Sequence, residues 1–494
     1  MFEKITPEKA GISSRAVAEY ISLLERYNTS THGLVMMKGD KIFAENYWAP
    51  FNKDFCHRMY SQTKSFVSVA IGLLIEDGKL SLDDKICELF PEKLDTEPDK
   101  YMREQTLKDM LTMCTVGQHR NWFTAGDPDR THLYFADRNI SRPSSTLWEY
   151  DSAGSQVMCN LVEKLAGKSM FDFLNERIFS HLGTFKSAKI LKTPNGVSWG
   201  DSAMLCTVRD AASFGRFVMN YGTWEGKRLM NEEYLREATS AVVDNAVSSH
   251  FDVYHGLGYG YQFWRIIGNG FAMVGMGDQL TLCYPDEDII MSITSDNQGS
   301  TELRQLVVGA FYELIVRKAQ SEALPEDKAA EDYLAEMTKD LKLRAIKGKE
   351  DSPMREVING KVYECEQNKM GIKRFSFVFK DATEGEFRYE NEQGEKVIPF
   401  GVNRNVFGKF PELGYSDEFG AMRSEGGFMY DDAVSLTWLQ DNRLILYVQI
   451  IDRYFGNMSA IFGFKGDDCA VRMEKTAEDF LDKYQGSALA HLAK

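Results

Sequence analysis

The sequence predicts an α/β (α+β) domain followed by a separate antiparallel β domain of barrel or sandwich type. The first would be an antiparallel sheet flanked by helices and carrying a helical subdomain. Three observations predict this. Strand-like runs stand at 34–44 and return at 258–293, the segment between them reads as helical, and beyond residue 353 aromatic and β-branched runs alternate with turns. At 494 residues the chain exceeds one ordinary core, so more than one domain is expected.

Leu34-Val35-Met36-Met37 and Ile42-Phe43-Ala44 flank the turn residues Gly39-Asp40, which reads as a β-hairpin. From Ser61 to Asp77, the residues Phe66, Val67, Ala70, Ile71, Leu74 and Ile75 recur at helical spacing, and Gly78 stands where a helix-ending glycine belongs. The stretch 117–143 is the most irregular part of the helical middle, the kind of long loop that often serves as a lid or binding segment. Strands are expected at Gly258 to Trp264, Leu280 to Tyr284 and Ile289 to Ile293, then a helix from Leu303 to Lys318. The expected division is a catalytic domain over 1–320 (helical subdomain about 85–215), a charged linker or helix over 321–352, and a β-rich accessory domain over 353–494. In the last, Phe375 to Phe379 and Leu444 to Val448 are strand runs, and Asn359-Gly360 and Gln393-Gly394 are turns.

Composition narrows the function classes. Hydrophobic residues make up 43% and charged residues 27%, as in soluble globular proteins. A formal net charge of -15 argues against a nucleic-acid backbone as partner and supplies no basic patch for anionic lipid. The N-terminal residues show no apolar run after a basic start, and no segment approaches the length of a membrane span, so a cytoplasmic location is expected. The eight cysteines are scattered without a C-x-x-C pair and are expected to be reduced thiols. No histidine spacing suits zinc, and neither metal nor organic cofactor is expected. The expected partner is a small-molecule or peptide-like substrate; a homo-oligomer is left open.

Ser61-Gln62-Thr63-Lys64 opens the apolar helix. Residues three apart share a helix face, so the Lys64 amine can reach the Ser61 hydroxyl. A serine hydroxyl becomes a useful nucleophile only when a base takes its proton, and the helix N-terminus favours the negative charge that then develops. The same serine would also suit an ordinary N-cap.

The run from Tyr60 to Asp84 resembles the nucleophile helix of serine β-lactamase-like and penicillin-binding proteins, most closely the class C branch with its esterases, D-aminopeptidases and 6-aminohexanoate-dimer hydrolases. Leu107 to Gly117, Trp148-Glu149-Tyr150-Asp151-Ser152, Leu182-Gly183, the stretch 200–215 with Thr207-Val208-Arg209-Asp210, and Gly275-Met276-Gly277 are similar to later landmarks of that family, in the same order. The resemblance spans about residues 5–318.

It implies Ser61 as nucleophile and Lys64 and Tyr150 as proton carriers, with an oxyanion hole from the backbone N–H groups of Ser61 and Met276. It also implies Ser152 as a hydrogen-bonding partner of Lys64 or substrate, and Trp122, Gly275 and Gln62 as substrate contacts. Tyr150 as a core aromatic and Ser152 as an exposed helix-start hydroxyl stay open beside these roles. The basic residue of the family's third motif is absent: Met273-Val274-Gly275 stands there, which puts efficient β-lactam hydrolysis in doubt. His119 is expected on a loop surface, His57 is a weak candidate for a general base, and Asp278-Gln279 is expected to turn into a strand.

The function so implied is hydrolysis of a small ester or amide, including peptides with D-residues, through a Ser61 acyl-enzyme. The alternatives are a catalytically idle relative that binds a peptide or cell-wall fragment, and a D-aminopeptidase, DD-peptidase or weak β-lactamase activity.

Overall fold

A computed structural model describes residues 2–117, 127–136, 141–246, 253–414, 416, 418–420, 429–477 and 484–494. The chain divides into two compact units. The first holds residues 1–342 together with 418–421, and the second holds the rest from residue 343 onward.

The first unit is built on a seven-stranded sheet. Its strands are β1 (Glu3–Lys4), β2 (Thr31–Lys38), β3 (Lys41–Tyr47), β4 (Trp264–Ile266), β5 (Gly270–Gly275), β6 (Gln279–Tyr284) and β7 (Ile289–Ser295), in the spatial order β1-β3-β2-β7-β6-β5-β4. All neighbours are antiparallel except β1, which adds to β3 in parallel. The hairpin read at Gly39-Asp40 is β2–β3, and Gly39 takes the left-handed conformation its turn demands (φ 57°).

Strand β2 is buried along almost its whole length, as in sheets covered on both faces. Its alternate residues go to different cores. Val35 and Met37 join the cluster containing α2 (Thr63–Glu76), α5 (Ser152–Ala166) and α6 (Val208–Met219). Leu34 and Met36 join the cluster containing α1 (Ser14–Arg26) and α7 (Thr301–Leu314). The unit is therefore helix–sheet–helix in section, with period-two strands feeding both sides. Three further helices complete the labels: α3 (Leu107–Leu111), α4 (Arg130–Ala136) and α8 (Lys328–Thr338).

Two expectations need correction. Gly258 to Trp264 is not a continuous strand: only Trp264 enters β4, and Gly258 (φ 104°) and Gln262 (φ 64°) break the backbone. The stretch 117–143 contains α4, whose Arg130, Thr131, Tyr134 and Phe135 are buried. Of the two readings of the charged segment after residue 320, linker or helix, the structure has a helix: α8 packs on α1 inside the first unit. No helix among the described residues is long and apolar enough to cross a membrane.

The second unit is a β-barrel. Its strands are β8 (Val362–Cys365), β9 (Arg374–Phe379), β10 (Glu384–Asn391), β11 (Gly394–Val402), β12 (Val406–Leu413), β13 (Met429–Gln440), β14 (Arg443–Ile451), β15 (Phe455–Lys465), β16 (Asp468–Ala477) and β17 (Gly486–Leu492). Antiparallel neighbours run β11-β10-β9-β8-β17-β16-β15-β14-β13, and β11 then meets β13 in parallel at Gly401–Ser435 and Val402–Leu436. That contact closes nine strands, with β12 riding on the first half of β13. Phe375 and Phe377 from β9, Phe387 from β10 and Phe462 from β15 meet with ring centroids 4.9 to 6.1 Å apart, an arrangement available to residues that all point inward.

Inside this barrel, Asp432 is an anomaly. It is 1% exposed, and among the described residues neither carboxylate oxygen has a hydrogen-bond partner of good geometry, the Gly408 main chain only partly offsetting its burial. Burial, reinforced by neighbouring Asp431, pushes its carboxyl from 3.8 up to about 7. The folded state thus holds a proton that the unfolded chain releases near pH 4. Stability from this group is full below that pH and falls as pH rises toward 7. The expected loss is about 4 kcal/mol across the window at 1.36 kcal/mol per pH unit. Asp432→Asn should flatten the dependence and raise the urea midpoint at pH 8 above wild type. An unchanged slope between pH 4 and pH 7 would contradict the assignment.

Candidate active site

Ser61 lies in a single 3-10 turn, Tyr60–Gln62, that runs directly into α2. From Tyr60 to Ala70 every residue is buried except Ser61, so the hydroxyl is the one group of that segment that reaches solvent. It does not cap the helix: the cap position is Gln62, and no side-chain cap bond forms there. Instead Lys64 Nζ donates to Ser61 Oγ at 2.9 Å, the one-turn reach that the S-x-x-K spacing predicts. Lys64 itself is 2% exposed.

The second donation of Lys64 goes to a group the sequence did not reveal. Nζ donates to the main-chain carbonyl of Asp201 at 2.7 Å. The loop carrying that carbonyl is pinned from two helices. From α5, Gln156 Nε2 donates to the Ser198 carbonyl at 2.9 Å, and Gln156 Oε1 accepts from the Gly200 N–H at 2.9 Å. From α2, Thr63 Oγ1 accepts from the Met204 N–H at 3.1 Å. A Cβ at Gly200 would stand 2.2 Å from Cys159 Cβ, so the loop can lie this close to α5 only with glycine there.

Tyr150 comes from the segment leading into α5. Asp151 caps that helix by accepting from the Gly154 N–H at 3.0 Å, and Thr115 Oγ1 donates to Asp151 at 3.0 Å. This places Tyr150 with its ring centroid 5.1 Å from Lys64 Nζ and 36% of its surface exposed. It is therefore neither a core aromatic nor remote from the serine–lysine pair. Its other face stacks on Trp264 at 5.7 Å, and Trp148, Tyr254 and Tyr259 pack around the same indole at 5.1 to 5.5 Å. This aromatic wall, drawn from the segments around 148–150, 254 and 259–264, is not legible in the local sequence pattern.

The third wall is the end of β5. Met273 and Val274 are buried in opposite cores, so neither presents a side chain in place of the family's missing cation. Gly275 follows, and a Cβ on it would stand 2.2 Å from the Met59 carbonyl oxygen. Strand β5 and the turn Tyr60–Gln62 are thus packed closely through the main chain next to Ser61, which brings the segments of Ser61 and Met276 side by side. Met276 is 41% exposed. The turn beyond it is held by Asp278, in left-handed conformation (φ 67°), which accepts from Arg304 Nε at 2.6 Å.

Several predicted residues are not brought to this place. Gln62 is 0% exposed and accepts from Thr281 Oγ1 at 3.1 Å, so it faces the sheet instead of substrate. Ser152 opens α5, half-buried, and is not among the partners of Lys64, whose hydrogen bonds are taken by Ser61 and Asp201. His57 is buried, its Nε2 3.1 Å from His32 Nδ1, and burial pushes its imidazole down to about 3, so it stays neutral in a packed pair. Trp122 and His119 lie outside the described residues.

Gln262 is the hub that sequence reasoning missed. Its carbonyl accepts from Ser65 Oγ of α2 at 2.7 Å, its Oε1 accepts from Ser155 Oγ of α5 at 2.7 Å, and its Nε2 donates to the Leu111 carbonyl of α3 at 2.9 Å. Through its main chain and its side-chain amide, this one residue ties α3 to α2 and α5, the helices that follow Ser61 and Tyr150. Its φ of 64° joins those of Tyr60 (47°), Met113 (59°) and Asp278 (67°) as left-handed non-glycine residues around the site. Such conformations cost roughly 1–2 kcal/mol each and cluster at functional sites.

A 6-aminohexanoate-dimer hydrolase of Paenarthrobacter ureafaciens is 23% identical over 267 residues, covering 50% of this chain and 68% of that one. Among solved structures, a penicillin-binding protein homologue from Caulobacter crescentus aligns with a TM-score of 0.51 at 14% identity, over 62% of this chain and 99% of its own. The hydrolase EstCE1, described as having promiscuous acyltransferase activity, aligns at 0.50 and 13%, over 60% and 99%. These two share the fold. The family model described as Beta-lactamase matches residues 20–307, more than half of the sequence, and the chain belongs to the Beta-lactamase family.

Proposed function

We propose that this protein is a serine hydrolase that cleaves small esters or amides through a Ser61 acyl-enzyme. The observation that carries the reading is the contact of Lys64 Nζ with Ser61 Oγ at 2.9 Å on the one accessible residue of a buried segment, with the Tyr150 ring beside it. The hydroxyl oxygen attacks the substrate carbonyl while its proton passes to Lys64, directly or through Tyr150. The carbonyl π electrons move to oxygen, and that oxyanion is met by the N–H groups of Ser61 and Met276. Collapse of the adduct breaks the bond to the alcohol or amine, which leaves with the serine proton handed on from Lys64 through Tyr150. Water then attacks the acyl-serine by the same route in reverse and releases the acid.

The apolar Met273-Val274 favours substrates that need no carboxylate clamp, so simple esters rank above β-lactams. The names of relatives fit amide and ester hydrolysis within this range. A fluorophosphonate probe should label wild type at Ser61, as read by peptide mass mapping, and leave folded Ser61→Ala unlabelled. Absence of labelling in folded wild type would favour instead the idle relative that only binds in the cleft.

A further inference from the structure

Behind Ser61 lies a buried carboxyl with two guanidiniums near it, none of which the proposed reaction uses. Asp201 is 4% exposed, and among the described residues its Oδ1 has no hydrogen-bond partner. The groups that act on it electrostatically come from three elements: Lys64 on α2, Arg58 from the short strand His57–Arg58, and Arg130 on α4. The Cys159 thiol of α5 also faces it and is held neutral by burial. The two guanidiniums are fixed in place. Arg58 lies 4.4 Å from the Trp199 ring and Arg130 4.8 Å from it, and Arg58 donates to the Ser202 carbonyl at 3.0 Å and to Ser202 Oγ at 2.8 Å.

A buried carboxyl facing three cations without a full set of hydrogen bonds is an expensive arrangement to keep for packing alone, since unpaired buried polar groups weaken a fold. Burial pushes the Asp201 carboxyl up, against the pull of those cations. Its main chain meanwhile aims the Lys64 amine, because the Asp201 carbonyl is the second acceptor of Nζ.

We propose that Asp201 is a positioning residue with two separable parts: its carbonyl aims the Lys64 amine at Ser61, and its side-chain carboxylate sets the electrostatic balance that decides at what pH the Lys64–Tyr150 pair can accept the serine proton. The inference rests on the acyl-enzyme reading. A side-chain substitution leaves the carbonyl in place, so the second part can be tested alone. Removing the negative charge leaves the cluster more positive, which favours the unprotonated form of the accepting pair. The acid limb of the kcat/KM profile then moves to lower pH. Removing a cation moves it to higher pH.

The experiment records kcat/KM against pH for p-nitrophenyl butyrate with wild type, Asp201→Asn and Arg130→Gln, together with fluorophosphonate labelling of each. The expected result is labelling of Ser61 throughout and opposite displacements of the acid limb, about one pH unit each. If Asp201→Asn does not fold, the upward displacement in Arg130→Gln decides. A profile that drops in height without moving in the folded variants overturns the role of Asp201 while leaving the acyl-enzyme standing. Folded wild type that takes no label overturns both.

Discussion

Lys64→Met should leave a folded protein whose kcat on p-nitrophenyl butyrate is lower by about 10³-fold, within the range of positioned acid–base groups, with KM nearly unchanged. Methionine fills a similar volume without a donor. The Ser61 hydroxyl then loses the amine now 2.9 Å away, and the Asp201 carbonyl loses its partner at 2.7 Å. Fold stability should move little, because a buried polar amine that costs desolvation is replaced by an apolar chain in a buried segment. Steady-state kinetics beside a urea titration separates the two effects. A variant retaining more than a tenth of wild-type kcat would remove Lys64 from proton handling.

Gly275→Ala should injure the same site by displacement. The new methyl group would stand 2.2 Å from the Met59 carbonyl oxygen and 3.0 Å from Gln279 Cβ. Strand β5 and the nucleophile turn must then separate by about 1 Å, and misplacements of that size cost on the order of 10²-fold in rate. Overpacking should also cost about 1–3 kcal/mol of stability. Gly463→Ala in the barrel is the matched control, because a Cβ there meets nothing within 4 Å. Equal behaviour of the two variants in kcat/KM and in melting temperature would refute the backbone-contact argument.

The parts of the fold legible in the sequence are those where local pattern and tertiary burial agree. The β2–β3 hairpin has its glycine turn, α2 has apolar residues at helical spacing with Gly78 after it, and β6 and β7 are short, largely apolar runs buried along their whole length. Gly258 to Trp264 misled because alternating aromatics imitate a strand, whereas positive φ at Gly258 and Gln262 folds them into a compact turn around Trp264. Part of the site was legible by spacing, since Ser61 and Lys64 are one helical turn apart. Tyr150 was reached through resemblance, as nothing local marks a tyrosine 86 residues beyond Lys64. The Asp201 contact is made by a main-chain carbonyl, which leaves no trace in residue type. The turn of the Gln62 side chain to Thr281 is not legible either, because its neighbour Ser61 faces the other way.

The left-handed backbone at Tyr60, Met113, Gln262 and Asp278 has a consequence for where the reactive arrangement resides. At roughly 1–2 kcal/mol apiece, four such residues together cost about as much as the lower end of a whole domain's net stability. No short peptide carrying Tyr60 to Lys64 would hold that shape unaided. The chemistry is therefore not portable: grafting the serine–lysine turn onto another helix would transfer the side chains and lose the conformation, which the surrounding core enforces.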